Sequence, residues 1–279
     1  MRPRKFTVVT PCFNARRFLP ATIESVLQQT ALLEGRCELQ YIIVDGGSND
    51  GTQDYLASLD HPGLTWVSEK DRGMYDAVAK GFAKAEGEVM AYINAGDAYF
   101  PWAFDVVAEC FEDADVAWLT GLAVLRNERG QVFQIDRPRR YWSHLIRRGA
   151  YGRHLPYIQQ ESTFWRAELW RHVDTQRLRE LRLVGDYFLW TCMARHKQLH
   201  AVNSALAAFS IQPGQLSENK DRYFSEMRAI CPATVGVLDR LWIAADKMMA
   251  LLPGPLGRAI GYDTAIRYDL GTKTWRRST

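Results

Sequence analysis

The sequence predicts an α/β fold: a mostly parallel sheet flanked by helices, with a mixed second half and a helical C-terminal extension. Three observations predict it. Short apolar, β-branched runs such as Phe6–Thr10 and Gln40–Val44 suit strands buried on both faces. Stretches with apolar residues at helical spacing lie between those runs. Each early strand is followed by a loop rich in Asp, Asn and Gly, and in open parallel sheets ligands gather at the strands' carboxyl ends.

Between the first two strands, Phe18, Leu19, Thr22, Ile23, Val26 and Leu27 recur with the period of a helix. Thr65–Val67 and Val89–Ile93 are the next strands, separated by a helix from about Met74 to Ala85. Past Pro101 the alternation loosens. A helix over Trp102–Phe111, a strand over Val116–Leu119 and a hairpin around Asn127–Gly130 are expected, followed by a basic, irregular segment, Arg137–Arg153. The stretch Gln159–Trp165, a short helix near Ala167–His172, a helix from Asp186 to Arg195 and strands near Leu199–Val202 and Leu206–Ile211 complete this half. Helices are expected at Lys220–Ile230 and Val235–Leu252, the second stopped by Pro253-Gly254-Pro255. The implied divisions are 1–100, 101–217 and 218–279.

At 279 residues the chain can bury a large core, and 47% hydrophobic with 24% charged residues is ordinary for a globular protein. A formal charge of +3 argues against a nucleic-acid partner and leaves an anionic ligand or membrane surface open. Five scattered cysteines without a C-x-x-C pair argue against a disulfide framework or zinc site, and for a reducing compartment. No apolar run approaches the ~18 residues of a membrane span, and the N-terminal run is too short for a signal peptide. A cytoplasmic location is expected, with peripheral contact on the inner face of the cell membrane as an option.

Four loops carry the chemistry: Thr10–Asn14, Asp45–Thr52, Glu69–Gly73 and Asn94–Asp97. Acidic side chains gathered at one sheet edge repel one another unless a cation or a donor-rich ligand joins them. A nucleotide diphosphate with a divalent metal supplies both. There is no P-loop, no G-x-G-x-x-G after the first strand and no valid calcium loop.

Taken in order, V-V-T-P-C-F-N-A (8–15), Y-I-I-V-D-G-G-S-N-D-G-T (41–52), S-E-K-D-R-G-M-Y-D-A (68–77), Y-I-N-A-G-D (92–97), Q-Q-E-S-T-F-W-R (159–166), G-D-Y-F-L-W (185–190) and P-G-Q-L-S (213–217) resemble the family 2 glycosyltransferases of GT-A fold, notably those that assemble bacterial surface polysaccharides. The resemblance implies an inverting enzyme that moves a sugar from a nucleotide-diphosphate donor, UDP by family habit, to a glycan or lipid-linked acceptor. It implies that residues 1–100 bind the donor and 101–217 the acceptor. Asp45 matches an acid that holds the nucleoside, with Thr10, Pro11 and Phe13 lining the base pocket. Asp71 matches a second nucleoside-side acid, and Arg72 lies where it can approach the diphosphate. Asp97 matches the last acid of a D-x-D-type element that ligates Mg²⁺ or Mn²⁺. Here Gly96 precedes it instead of an acid, and Asn94 stands upstream. Asp186 matches the general base, and its place at a helix start would favour the ionised form through the helix dipole. Gln160 and Glu161 are placed to meet donor sugar or acceptor.

Each residue also has a plainer reading. Asp45 can form an Asx turn with Gly46 and Gly47, Asp97 can be a turn residue, and Asp186 can be an N-cap. Arg139, Arg140, Arg147 and Arg148 suit a lipid-linked pyrophosphate, an anionic membrane or a solvated face. Leu241, Trp242, Ile243, Met248, Met249, Leu251 and Leu252 are expected to pack on the catalytic domain or in a homo-oligomer, with a membrane interface as the alternative. A sugar nucleotidyltransferase and a non-catalytic glycan- or nucleotide-binding module are the competing functions.

Overall fold

The structure, a computed structural model, describes residues 5–136, 139–211, 220–231, 235–252 and 254–277. The chain opens with β1 (Lys5–Cys12), α1 (Leu19–Leu27), α2 (Thr30–Leu33), β2 (Glu38–Asp45), α3 (Thr52–Ala57), β3 (Leu64–Ser68), α4 (Met74–Phe82) and β4 (Val89–Tyr92). Next come β5 (Ala98–Tyr99), α5 (Ala103–Cys110), β6 (Trp118–Thr120), β7 (Val124–Arg126), β8 (Val132–Ile135), α6 (Ser143–Arg147) and β9 (Thr163–Arg166). After a 3₁₀ turn at Ala167–His172 follow α7 (Thr175–Glu180), α8 (Gly185–Met193), β10 (His200–Ala201) and β11 (Ala207–Ser210). The last elements are α9 (Lys220–Ile230), α10 (Val237–Met249), α11 (Gly254–Ala259), β12 (Ile266–Asp269) and β13 (Thr274–Arg277).

The main sheet has seven strands in the order β10-β6-β9-β4-β1-β2-β3. β9 runs antiparallel to β4 and β6, and every other pairing is parallel. Successive side chains of a strand point to opposite faces, and the two cores follow that alternation. Val9, Ile42, Val44 and Tyr92 face α4 and α8 in one core. Val8, Tyr41, Ile43 and Ala91 face α1 and α5 in the other. The four-stranded sheet β5-β11-β7-β8 lies beside the site, and the Asn127–Gly130 hairpin joins β7 to β8 as expected.

Residues from all three implied divisions share these cores. Met227, Cys231 and Ile243 enter the first, and Ile266 and Trp275 line the second. The C-terminal stretch is not wholly helical, since β12 and β13 form an antiparallel hairpin docked at Val202. The basic segment expected to be irregular contains α6, and its Arg137 and the P-G-Q-L-S stretch lie outside the described residues. The five cysteines are buried and unpaired. Among the described residues no helix is long and apolar enough to cross a membrane.

Candidate active site

The carboxyl ends of β1, β2, β3 and β4 bring the four acidic loops to one edge of the sheet. The first two are lashed together. Asn14, in a left-handed conformation at φ 48°, donates its N–H to Ser48 Oγ at 2.7 Å, and its Oδ1 accepts from Asn49 N at 3.0 Å. Asp50 accepts from Arg16 N and Thr52 N, closing the loop onto α3.

Asp45 is fully buried, and its own loop uses its carboxylate. Oδ2 accepts from Gly47 N at 3.2 Å, Ser48 N at 3.0 Å and Ser68 Oγ at 2.6 Å, while Oδ1 accepts from Ser48 Oγ. This is the Asx turn that the two glycines permit, so Asp45 first of all shapes the loop. Thr10 is likewise buried, its hydroxyl paired with Tyr41 OH at 2.9 Å, and Pro11 is buried beside it. Neither side chain lines an open pocket. Phe13, by contrast, is 64% exposed. A methyl group on Gly46 would lie 2.6 Å from Asp71 Oδ2 and 3.4 Å from the Phe13 ring. Ring and carboxylate therefore close over the bare backbone of Gly46, and only a residue without a side chain leaves them room there.

The third loop is held by an acid the sequence reading passed over. Asp76 in α4 is buried and accepts from Arg72 N at 3.1 Å, with ion pairs to Arg72, Lys80 and Arg179 at 3.5–3.6 Å. Burial pushes its carboxyl up, but the Arg72 N–H and the three cations outweigh that and hold it below its usual value. Asp71 accepts from Gly73 N at 2.8 Å, and the Arg72 guanidinium is exposed.

At the fourth loop, β7 and β11 of the small sheet grip the turn. Asp97, 3% exposed, accepts from Ser210 N at 2.9 Å. Arg126 and the Ser210 hydroxyl both bond Gly96 O, and Thr22 Oγ1 accepts from Gly96 N and donates to Asp97 O. Asn94 Nδ2 donates to Gln160 Oε1 at 3.1 Å, and Gln160 is buried and anchored to Tyr92 O. Two buried acceptor atoms here have no partner, Asn94 Oδ1 and Glu161 Oε1. Burial pushes Asp97 and Glu161 up together, and Glu161 rises further because Asp97 and Asp186 are near.

Asp186 occupies the second position of α8, with Val184 rather than Asp186 as the cap. Its Oδ1 accepts from Tyr187 N at 2.7 Å and from Tyr75 OH at 3.3 Å. The dipole expectation is reversed. Burial raises its pKa to about 6, against the lowering effect of the Tyr187 N–H and Tyr75 OH, while Glu226 adds to the rise. Glu226, from α9, accepts the N–H groups of Arg182 and Leu183 at 2.7 Å and of Val184 at 3.2 Å. A residue of the C-terminal stretch thus ties down the turn that presents Asp186. Neither Tyr75 nor Glu226 carries a sequence signal for this role, since each lies far from Asp186 along the chain.

Asp97 and Asp186 both lie near enough to the buried Glu161 to raise its carboxyl, and Asn94 is joined to Gln160 next to it, while Phe13, Gly46 and Asp71 meet at the ends of β1, β2 and β3. The Arg182 side chain, from the turn before α8, lies against Gly73, where a methyl group would come within 2.8 Å of its guanidinium. Among the described residues, no three His, Cys, Asp or Glu side chains form a metal cage. The buried acceptors Asp97 and Asn94 Oδ1 nevertheless suit a hard divalent cation whose remaining ligands are phosphate oxygens and water.

A sheet with one antiparallel strand, acids at its carboxyl edge and a helix-borne carboxylate facing them defines a GT-A-type transferase fold. S. aureus TarS 1–349 in complex with UDP-GlcNAc superposes at a TM-score of 0.62 with 14% identity, covering 92% of this chain and 70% of that one. The mannosyltransferase PcManGT of Pyrobaculum calidifontis, in complex with GDP-Man and Mn²⁺, superposes at 0.60 with 18% identity, covering 92% and 72%. The chain belongs to Glycosyl transferase family 2, whose profile matches residues 7–190. A PGL/p-HBAD biosynthesis glycosyltransferase of Mycobacterium bovis is 30% identical over 170 residues, 54% of this chain and 62% of that protein. An uncharacterized glycosyltransferase of Nostoc sp. is 31% identical over 115 residues, 40% of this chain and 34% of that protein. The chain thus spans less than two thirds of the length of either curated relative.

Proposed function

We propose that this chain is an inverting glycosyltransferase that moves a sugar from a nucleotide-diphosphate donor to the hydroxyl of a glycan or lipid-linked acceptor. The observation that supports this reading is the buried Glu161, on which Asp97 and Asp186 both bear and whose Oε1, like Asn94 Oδ1 after β4, has no partner. The nucleoside would rest on the exposed ring of Phe13, with Asp71 beside it and Asp45 shaping the loop. Thr10 and Pro11 would support that pocket from behind, and Arg72 would reach the diphosphate. UDP is favoured by the ligand of the TarS complex, with GDP as the runner-up from the PcManGT complex.

Asp186 would accept the proton of the acceptor hydroxyl as its oxygen attacks the anomeric carbon. The bond from that carbon to the diphosphate oxygen breaks on the opposite face, so the centre inverts. Gln160 and Glu161 would position the donor sugar. Asp97 and Asn94 would hold Mg²⁺ or Mn²⁺, which when bound offsets negative charge developing on the leaving diphosphate.

The nucleotide and metal assignment is tested by thermal shift. UDP with Mn²⁺ should raise Tm by several degrees, as expected near 100 times Kd, and UDP alone should do less. Asp97→Asn should remove the Mn²⁺-dependent part and keep the remainder. An unchanged Mn²⁺ response in that variant would place the cation elsewhere.

A second test concerns the base. With a pKa of about 6, Asp186 is active above that pH, so kcat/KM should fall as pH drops through 6. The same elevation means that ionising Asp186 costs stability as pH rises from the ordinary carboxylate range through about 6. The groups that bear on it are Tyr75 from α4, Tyr92 from β4, Tyr157, Glu161, and Tyr223 and Glu226 from α9. Removing the Tyr75 hydroxyl takes away a donor that stabilises the carboxylate. Tyr75→Phe should therefore move the acidic limb upward by roughly half a unit to one unit. An unmoved limb would separate Tyr75 from the titrating group.

A further inference from the structure

Helix α10 is amphipathic in the reverse sense. Its inward face carries Asp239, Ile243 and Asp246, at the i, i+4, i+7 spacing of one helical stripe, and all three are buried. Asp246 accepts from Trp142 Nε1 at 3.0 Å and Tyr262 OH at 3.1 Å and pairs with Arg139 at 3.4 Å. Asp239 accepts from Gly236 N at 2.8 Å and pairs with Arg148 at 3.3 Å. Two arginines of the basic segment thus clamp the helix through its acids, and Arg140 bonds Gly261 O just beyond it.

Trp242 packs inward on Trp142 and His144, with ring centroids 5.1 and 5.7 Å apart, but most of the other apolar residues point the other way. Of the seven expected to pack inward or in an oligomer, only Ile243 is buried. Val237 and Leu238 are each 75% exposed, Leu241 63%, Met248 71% and Leu251 83%. Val237, Leu241, Ala244, Met248 and Leu251 follow i, i+4, i+7, i+11, i+14, so they form one outward stripe. Leu256 and Ile260, in and just after α11, are exposed as well.

Charge completes the pattern. Both acids of α10 face inward, and its exposed charged residues are Arg240 and Lys247, one stripe away from the apolar line. These two and Arg153 gather at His154, and Arg258 of α11 is exposed beside Leu256 and Ile260. Two copies packed about a two-fold axis would bring like charges together along this border. An anionic surface with an apolar interior matches both the cations and the stripe.

We propose that α10 and α11 dock on an anionic phospholipid bilayer, with the 237–251 stripe sunk into the headgroup boundary and Arg240 and Lys247 on lipid phosphates. This inference does not depend on the assignment of Asp186 or Asp97. Flotation of the full chain with vesicles of phosphatidylglycerol and phosphatidylcholine in equal parts tests it, with phosphatidylcholine vesicles as comparison. The wild-type chain should float with the anionic vesicles and far less with the neutral ones. Leu241→Glu with Met248→Glu should lower binding by about tenfold or more. Arg240→Glu with Lys247→Glu should lose at least about fivefold per residue on the anionic vesicles alone. These side chains are exposed, so the Tm of the unliganded protein should be unchanged and serves as the check that each variant is folded. Equal flotation of wild type and variants would overturn the proposal. So would a wild-type dimer in light scattering that Leu241→Glu with Met248→Glu converts to monomer, since a second copy would then own this face.

Discussion

Asp186→Asn is expected to lower kcat by about 10²–10⁴, the range a positioned general base contributes, while leaving UDP–Mn²⁺ binding intact. The substitution keeps size and shape, and the amide oxygen can still accept from Tyr187 N and Tyr75 OH. What disappears is the ability to take the acceptor proton. Turnover with a sugar donor, followed beside a thermal shift with the nucleotide, separates the two properties. NMR of the wild-type product reads the anomeric configuration, and retention would reject in-line displacement assisted by a single base. Turnover within about tenfold of wild type in Asp186→Asn would assign the base elsewhere, with Glu161 the next carboxylate in line.

Gly185→Ala is expected to damage both stability and turnover. Its added methyl would lie 2.3 Å from the Tyr75 ring, which is 2% exposed and has nowhere to withdraw. Alanine is better than glycine in a helix by up to ~1 kcal/mol. Overpacking a tight core costs about 1–3 kcal/mol and occasionally more, so the clash should win. At ~2–4 °C per kcal/mol for a chain approaching this size, Tm should fall by several degrees. A displaced Tyr75 also withdraws its hydroxyl from Asp186, so kcat/KM at pH 6 should fall more than at pH 8. A variant as stable and as active as wild type would show that the ring is free to move.

The alternation of strands and helices was legible because parallel strands buried on both faces must be apolar throughout, and the helices beside them must show one apolar stripe. The four acidic loops were legible for a related reason. Residues that leave a buried strand and enter a Gly–Asp turn are chosen locally, and their spacing survives in the chain. β1, β2, β4 and α4 consequently lie close to where the pattern places them. Short elements were missed, α2, α3, α6 and α7 among them, because four to six residues carry too little periodicity to register.

Local order along the chain thus establishes the fold class, the family resemblance and the identity of the acids at the sheet edge, because each follows from neighbours within a few residues. Folding in three dimensions assigns what each acid does. Asp45 spends its oxygens on Ser48, Gly47 and Ser68, and Asp97 is held by Ser210, more than a hundred residues away. Burial beneath Tyr75 and beside Glu226 overrides the helix dipole at Asp186, since desolvation of a carboxylate exceeds what a helix end supplies. In α10 the arginines of a distant segment draw the aspartates inward and leave the leucines facing out. Those outcomes depend on partners that only packing brings within a few ångströms, and no window along the chain contains them.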